Sequence, residues 1–135
     1  MRNKIKDVTI KNLTYIPEKR GELSAIEENN VPFSFKRVFA VKANKGDIRG
    51  NHAHIKCKQF MLCLNGEIEI IVDDGLSKKN FILNKPDIGV YVPNEIWSIQ
   101  RYLRDESVLM VICDLDFDEK DYLRKYEDFK NFINN

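Results

Sequence analysis

The chain of 135 residues contains only two histidines, His52 and His54, separated by one residue. They follow the run Gly46-Asp47-Ile48-Arg49-Gly50-Asn51, so an arginine stands three positions before the first of them. Side chains on a β-strand alternate between faces, which points both imidazoles the same way if this segment is extended. Imidazole titrates near neutral pH and can both take and return a proton, the property a proton-transfer site needs. Arg49 adds a fixed positive charge that suits either a developing oxyanion or a phosphate. The plainer alternative is a pair of polar residues on the outer side of an edge strand, so the surroundings have to decide.

Those surroundings read as short strands. Phe35 to Ala43 alternates, with Phe35, Arg37, Phe39 and Val41 on one side. Phe60 to Leu64 is apolar and is followed by Asn65-Gly66, a strong hairpin signal. Ile68 to Val72 leads into the turn Asp73-Asp74-Gly75, and further runs follow at Phe81 to Leu83, Ile88 to Val92, Trp97 to Leu103 and Val108 to Leu115. Strands at a spacing of about 8–12 residues predict an antiparallel sandwich or barrel. Near the end the period changes: Tyr122, Leu123, Tyr126, Phe129, Phe132 and Ile133 recur at helical spacing. This predicts an amphipathic helix over about 118–134, with Asp118 as its N-cap and acidic residues in its first turn. The expected architecture is mainly β with a C-terminal helix, one domain over 1–135.

Composition excludes several classes. Lys and Arg number 22 against 21 Asp and Glu, a net charge of +1 that removes the general electrostatic case for nucleic-acid binding. No apolar run is long enough to span a bilayer, and the N-terminus lacks the apolar core of a secretory signal. Cys57, Cys63 and Cys113 form an odd set without a CxxC pair, which argues against a disulfide framework or a thiolate zinc site. The expectation is a soluble, cytoplasmic protein with no membrane or nucleic-acid partner.

The spacing around the histidines is more specific. Gly46, then His52 and His54, then Gln59, then Gly66 resembles the first motif of the cupin superfamily, with glutamine at the glutamate position. Pro86-Asp87, Pro93 and Ser98 match the second cupin motif more loosely, Ser98 standing where cupins carry a third histidine. The resemblance implies a jelly-roll β-sandwich or barrel with a pocket in its mouth. Gln59 and Ser98 are poor ligands for a divalent ion, and two histidines fall short of the three or more ligands usual in catalytic metal sites. The expectation is therefore no metal, and proton transfer as the use of the histidine pair.

The string GDIRGNHAH, with Lys36-Arg37-Val38-Phe39 upstream and Gln59 to Gly66 downstream, is similar to the sugar nucleotide 3,4-ketoisomerases. The likeness continues through residues 20–39, the stretch Gly89 to Trp97, and the tail Asp118 to Phe129. It implies isomerisation of dTDP-4-keto-6-deoxyglucose to a 3-keto-6-deoxyhexose, through an enediol and with no cofactor. It implies His52 as the catalytic base, His54 as its partner, and Arg20 and Ser98 flanking the sugar. It further implies a homodimer, and an aminotransferase that consumes the product on the way to a 3-amino-3,6-dideoxy sugar of surface glycans. Relatives often carry tyrosine in the strand after the Lys-Arg-Val segment, where this chain has Phe39-Ala40.

Other candidate substrate contacts each have a structural alternative. Arg37 falls on the apolar face of its strand and needs either a carboxylate partner or an anionic ligand. Gln59 can bond a sugar hydroxyl or hold the wall together. Tyr91 offers a phenol, Trp97 a ring to stack on sugar or thymine or else a core side chain, and Arg101 a phosphate contact or an ion pair with Asp105. Two other functional classes remain beside the isomerase: a non-catalytic nucleotide-sugar-binding cupin and a metal-dependent cupin enzyme. The configuration at C4 of the product is not readable from these residue types.

Overall fold

The alternation of apolar and polar residues resolves into twelve strands and one helix in a computed structural model that describes residues 1–135. The strands are Thr9–Asn12 (β1), Thr14–Glu18 (β2), Gly21–Ala25 (β3), Arg37–Ala43 (β4), Ile48–His54 (β5), Gln59–Asn65 (β6), Ile68–Asp73 (β7), Lys78–Leu83 (β8), Ile88–Val92 (β9), Trp97–Tyr102 (β10), Ser107–Cys113 (β11) and Tyr122–Leu123 (β12). Helix α1 is Tyr126–Ile133. One antiparallel sheet has the order β1-β9-β6-β11-β4 and the other β12-β5-β10-β7-β8, while β2 and β3 form a separate ribbon. The mainly β, cupin-type sandwich with a C-terminal helix is thus the observed fold.

The core between the sheets is built from inward residues of both, among them Met61, Cys63, Ile68, Ile70, Val72, Val90, Leu109 and Val111. Strand β6 is buried on both faces. Its outward Phe60 and Leu62 lie under Leu13 and Val31 of the N-terminal segment, which explains why this strand reads as a continuous apolar run. The outer face of the second sheet is covered by α1, whose Phe129 packs on Ala53 and Trp97.

Two expectations are corrected. Asn65-Gly66 does not close a hairpin, because β6 pairs with β9 and β11 while β7 pairs with β8 and β10. Gly66 takes φ 83° at the point where the chain crosses from one sheet to the other. With both edges of β6 occupied, β7 has no ladder to join there. The helix is also shorter than about 118–134. Asp118 accepts a bond from the Lys120 amide (3.0 Å) and caps a single 3-10 turn, Glu119–Asp121. Tyr122 and Leu123 then pair with His54 and Ala53 of β5, so strand pairing takes the backbone groups that a helix would have used.

One irregularity positions the chemistry. Along β10, Ser98 faces His52, Ile99 faces Gly50 and Gln100 faces Arg49, leaving Asn51 as the extra residue of a bulge. Gly50 and Asn51 both have positive φ, 76° and 61°. A regular strand would put Arg49 and His52 on opposite faces, since they are three residues apart. The added residue reverses the phase, and both side chains reach the space between the sheets.

Gly50→Ala should therefore damage the site through the backbone. A Cβ at Gly50 would meet the Gln100 carboxamide, and the left-handed conformation costs an L-residue about 1–2 kcal/mol. The expected outcome is a loss of that size in urea unfolding, together with weakened ligand binding. Unchanged stability would show that the bulge is not constrained by Gly50.

Candidate active site

The sandwich is not closed along one side. Strand β4 is the free edge of the first sheet, and β12, lying outside β5, is the edge of the second. Between these edges a cavity of about 200 Å³ is lined by Arg37, Phe39 and Val41 of β4, Arg49, Gly50 and His52 of β5, and Tyr122 and Arg124 of the C-terminal segment. Gln59, Met61, Gln100, Tyr102, Leu109 and Val111 form its floor. The apolar part of this lining lowers the local dielectric, which strengthens any charge interaction inside.

His52 and His54 share a face, as strand geometry requires, with ring centroids 5.0 Å apart and planes at 88°. Tyr122 completes the group, 5.0 Å from His52 and 4.4 Å from His54. His52 is on the cavity wall, whereas His54, only 6% exposed, stands behind it. Nδ1 of His54 lies 2.9 Å from Oδ2 of Asp121. The same carboxylate accepts the amides of Lys56 (2.7 Å) and Cys57 (3.2 Å). An ionised carboxylate can only accept, so His54 donates from Nδ1 and keeps a lone pair on Nε2, which is buried without a partner.

Burial first, and the neighbouring His54 second, push the pKa of His52 down to about 4. Burial likewise lowers His54, opposed by its bond to Asp121. Both rings are neutral at pH 7. Arg37 and Arg49 have no carboxylate within ion-pair range, while Arg124 is held by Glu119 through bonds of 2.8 and 2.9 Å. Arg37 rests instead on the rings of Phe39 and Phe117, 4.7 and 5.3 Å from its guanidinium carbon. Uncompensated guanidinium groups beside one cavity are what an anionic ligand requires.

The structure brings together Arg37, Arg49, His52 and Gln59 at the cavity, with His54 and Ser98 immediately behind. Ser98 Oγ accepts a bond from Gln100 Nε2 at 3.2 Å. Four expected contacts lie elsewhere. Tyr91 is on the outer face of the first sheet against Phe33, because inward Val90 and Val92 leave it the other side. Trp97 also faces outward, under α1, with its indole N–H bonded to Asn51 Oδ1. Arg101 pairs with Glu69 on the outer face, not with Asp105. Arg20 sits in the turn of the β2–β3 ribbon and does not line the cavity.

Asp121, Tyr122 and Arg124 were not singled out from the sequence. Their apparent helical periodicity concealed a strand that presents them to β5. The cupin metal arrangement does not fit either. Gln59 directs its amide N–H at the Cys113 sulfur (3.6 Å) and Ser98 supplies only a neutral hydroxyl, so two of the four positions lack an anionic or imidazole ligand. At the position of the missing family hydroxyl, Phe39 lines the cavity and Ala40 faces out. A hydroxyl is nevertheless present at Tyr102, buried, without a partner, and kept protonated by burial that raises its pKa to about 12.

The profile of the family described as "WxcM-like, C-terminal" matches residues 6–134. The chain belongs to that family. It is 42% identical over 124 residues, 90% of this chain and 89% of the relative, to the TDP-4-oxo-6-deoxy-alpha-D-glucose-3,4-oxoisomerase of Aneurinibacillus thermoaerophilus. It is similar to a crystal structure of a 3,4-ketoisomerase from Helicobacter canadensis, with TM-score 0.91 and 32% identity over 96% of this chain and 98% of that one. Another family structure, the QdtA 3,4-ketoisomerase of Thermoanaerobacterium thermosaccharolyticum, was solved as a histidine-to-asparagine mutant with TDP-4-keto-6-deoxyglucose. The likeness there is TM-score 0.91 and 30% identity, covering 96% of this chain and 95% of that one.

The depressed His52 pKa fixes a sign for stability against pH. The unfolded imidazole takes up its proton near 6.5 and the folded one only near 4. The contribution is fully present above about 6.5 and is lost as pH falls through that value toward 4. Thermal midpoints measured over this window should fall more steeply for the wild type than for His52→Asn, while NMR should show the His52 ring still neutral at about pH 5.5. An ordinary imidazole titration at His52 would contradict the burial argument.

Proposed function

We propose that this chain is a metal-independent 3,4-ketoisomerase acting on TDP-4-keto-6-deoxyglucose. The observation that carries the reading is a neutral His52 on the wall of a cavity shared with two unpaired arginines, in a chain 42% identical to an enzyme of that activity. The C3–H of a 4-keto sugar is acidified by the adjacent carbonyl. His52 removes that proton, the C–H electron pair becomes the C3–C4 double bond, and O4 takes a proton from solvent to give the enediol, a proton that solvent recovers when O3 gives up its own. The reverse sequence, with proton delivery to C4 and loss of the O3 proton, moves the carbonyl to C3. One base that serves both carbons is sufficient, and a positioned base contributes about 10²–10⁴-fold.

The remaining roles follow from place. His54 holds His52 from behind and is itself fixed by Asp121, so both act as positioning residues. Arg37 and Arg49 take the diphosphate, with Arg49 near enough to His52 in the strand to stabilise enolate charge as well. Tyr122 and Gln59 supply the nearest hydroxyl and amide for the sugar oxygens. Ser98, under His52, borders the face from which C4 is protonated and so bears on the product's configuration. No redox cofactor is needed, because the carbon skeleton is oxidised at C3 and reduced at C4 in the same molecule.

In the same reading the chain is one domain that works as a homodimer in the cytoplasm and hands its 3-keto product to an aminotransferase. Support for the dimer comes from the β2–β3 ribbon, which stands apart from both sheets and exposes Tyr15, Ile16 and Leu23, with Val38 exposed on edge strand β4. A ribbon reaching a partner would bring Arg20 toward the partner's cavity. Free, buried cysteines and the absence of any helix long and apolar enough to cross a membrane agree with the location.

Proton NMR of the 4-keto substrate in deuterated buffer tests the activity. The expected result is a 3-keto product carrying solvent deuterium at C4, abolished in His52→Asn. Exchange at C3 without product would mean that enolisation occurs and reprotonation at C4 fails. Binding without exchange would favour a nucleotide-sugar-binding module over an enzyme. Arg37→Ala should raise KM about 10–100-fold with a smaller effect on kcat, the loss of a charge-assisted bond to phosphate. A kcat loss alone would move Arg37 from binding to the chemical step.

A further inference from the structure

The proton-transfer reading leaves Cys57 unused, although it lies beside the catalytic group. Cys57 follows β5 by three residues and is buried, 5% exposed. Its thiol lies 3.5 Å from the Lys58 carbonyl and also meets the Cys113 thiol. Its sulfur, a His54 ring nitrogen and an Asp121 carboxylate oxygen all lie within 4.8 Å of one another. A second buried thiol, Cys113, belongs to the same packed cluster, and the ladder between the segments continues past Gln59 opposite Cys113 to Lys58 beside Asp114. One imidazole nitrogen, one carboxylate oxygen and one or two sulfurs on a common side form a mixed N/O/S donor set, which suits Zn²⁺.

We propose that His54, Cys57 and Asp121 form a zinc site whose occupation switches the enzyme off. It is distinct from the cupin metal arrangement, which would use Gln59 and Ser98 and lies on the cavity side of the histidines. Tetrahedral ligands about 2.0–2.3 Å from the metal lie roughly 3.3–3.8 Å apart, so the donors need move only about 1 Å to close on an ion. On binding, the Cys57 thiol releases its proton to solvent and the His54 proton moves from Nδ1 to Nε2. One Zn²⁺ with one thiolate and one carboxylate leaves the buried site neutral. The polypeptide preorganises two of the three donors, because Asp121 is already oriented by the Lys56 and Cys57 amides and by His54 itself.

The inhibitory consequence rests on the isomerase reading. Without metal, His54 presents a lone pair at Nε2. With metal on Nδ1, the same atom carries a hydrogen, and the Asp121 carboxylate that fixed the ring is spent on the ion. His54, which holds His52 from behind, is then fixed by the ion instead of by Asp121. Zinc thereby disturbs the positioning of His52 and takes no step in the reaction.

The test uses the full chain. Zn²⁺ would be titrated against a chromogenic chelator, and Co²⁺ would be substituted to report sulfur ligation by its thiolate charge-transfer absorption. The expected result is one ion per chain, a thiolate band, and binding about 100-fold weaker or worse in Cys57→Ala, beyond what outer contacts alone contribute. Turnover of the wild type should fall with added Zn²⁺ and return with chelator, while Cys57→Ala, which folds around a smaller apolar side chain, keeps its turnover in zinc. No thiolate band in the wild type, or equal affinity in the variant, overturns the site. A thiolate band with undiminished turnover overturns the inhibition. Absence of isomerase activity in metal-free protein that still binds Co²⁺ through sulfur counts against the isomerase reading, leaving the metal site standing.

Discussion

A single buried carboxylate ties the active end of the molecule together. Asp121 is about 10% exposed in its side chain and has no Lys or Arg in ion-pair contact. Desolvating a carboxylate is costly unless donors surround it, and here the donors come from one place: His54 and the two amides just past the end of β5. The backbone agrees, with the Ile55 amide bonded to the Asp121 carbonyl and Tyr122 paired with His54. The C-terminal segment can therefore dock only where it orients a histidine. Its next residues, Tyr122 and Arg124, become the outer rim of the cavity, and α1 follows onto the back of the same sheet. Solvating one charge fixes the tautomer, the pocket mouth and the cover of the outer face together.

The two sides of the pocket were legible to different degrees. Strand β4 could be read directly, because Arg37, Phe39 and Val41 alternate without interruption and all three reach the cavity. Strand β5 gave the same-face histidines by simple periodicity. It did not give Arg49, which a regular strand would turn away from His52. Only the extra residue at Asn51 reverses that, and the positive φ it needs leaves no stronger trace in the sequence than a Gly-Asn pair. Resemblance supplied the cupin frame and the base proposed above. It also supplied Arg20, which the structure places in the turn of the β2–β3 ribbon and not on the cavity lining.

The misread residues share a cause. Tyr91, Trp97 and Arg101 were chosen by side-chain chemistry, yet each lies on a strand where its neighbours two residues away face outward or its flanking residues face in. In a sandwich both outer faces carry apolar layers of their own, one under the N-terminal segment and one under α1. An aromatic residue on such a strand has two dry places to go, and its type does not choose between them. Phase does, and phase is set by register and bulges. Tyr122 shows the converse error: its spacing with Tyr126 and Phe129 is helical, but a two-residue pairing with β5 outweighs that propensity once Asp121 is anchored.

Keeping His52 neutral has a cost that the architecture accepts for a reason. An imidazole whose pKa is driven to about 4 is a weak base toward solvent, and burying it reduces stability on acidification. Toward a bound 4-keto sugar the balance differs. In the proposed reaction the proton taken from C3 leaves an enolate beside the ring, and that negative charge offsets the penalty of forming an imidazolium in an apolar cavity. A base that holds its proton only while the enolate is present must return it when the carbon reprotonates. A solvent-exposed histidine at its ordinary pKa would hold the proton more tightly and release it to carbon less readily. Burial and the neighbouring histidine weaken the base, while the open edge between β4 and β12 leaves the ring able to exchange its proton with solvent before C4 is protonated.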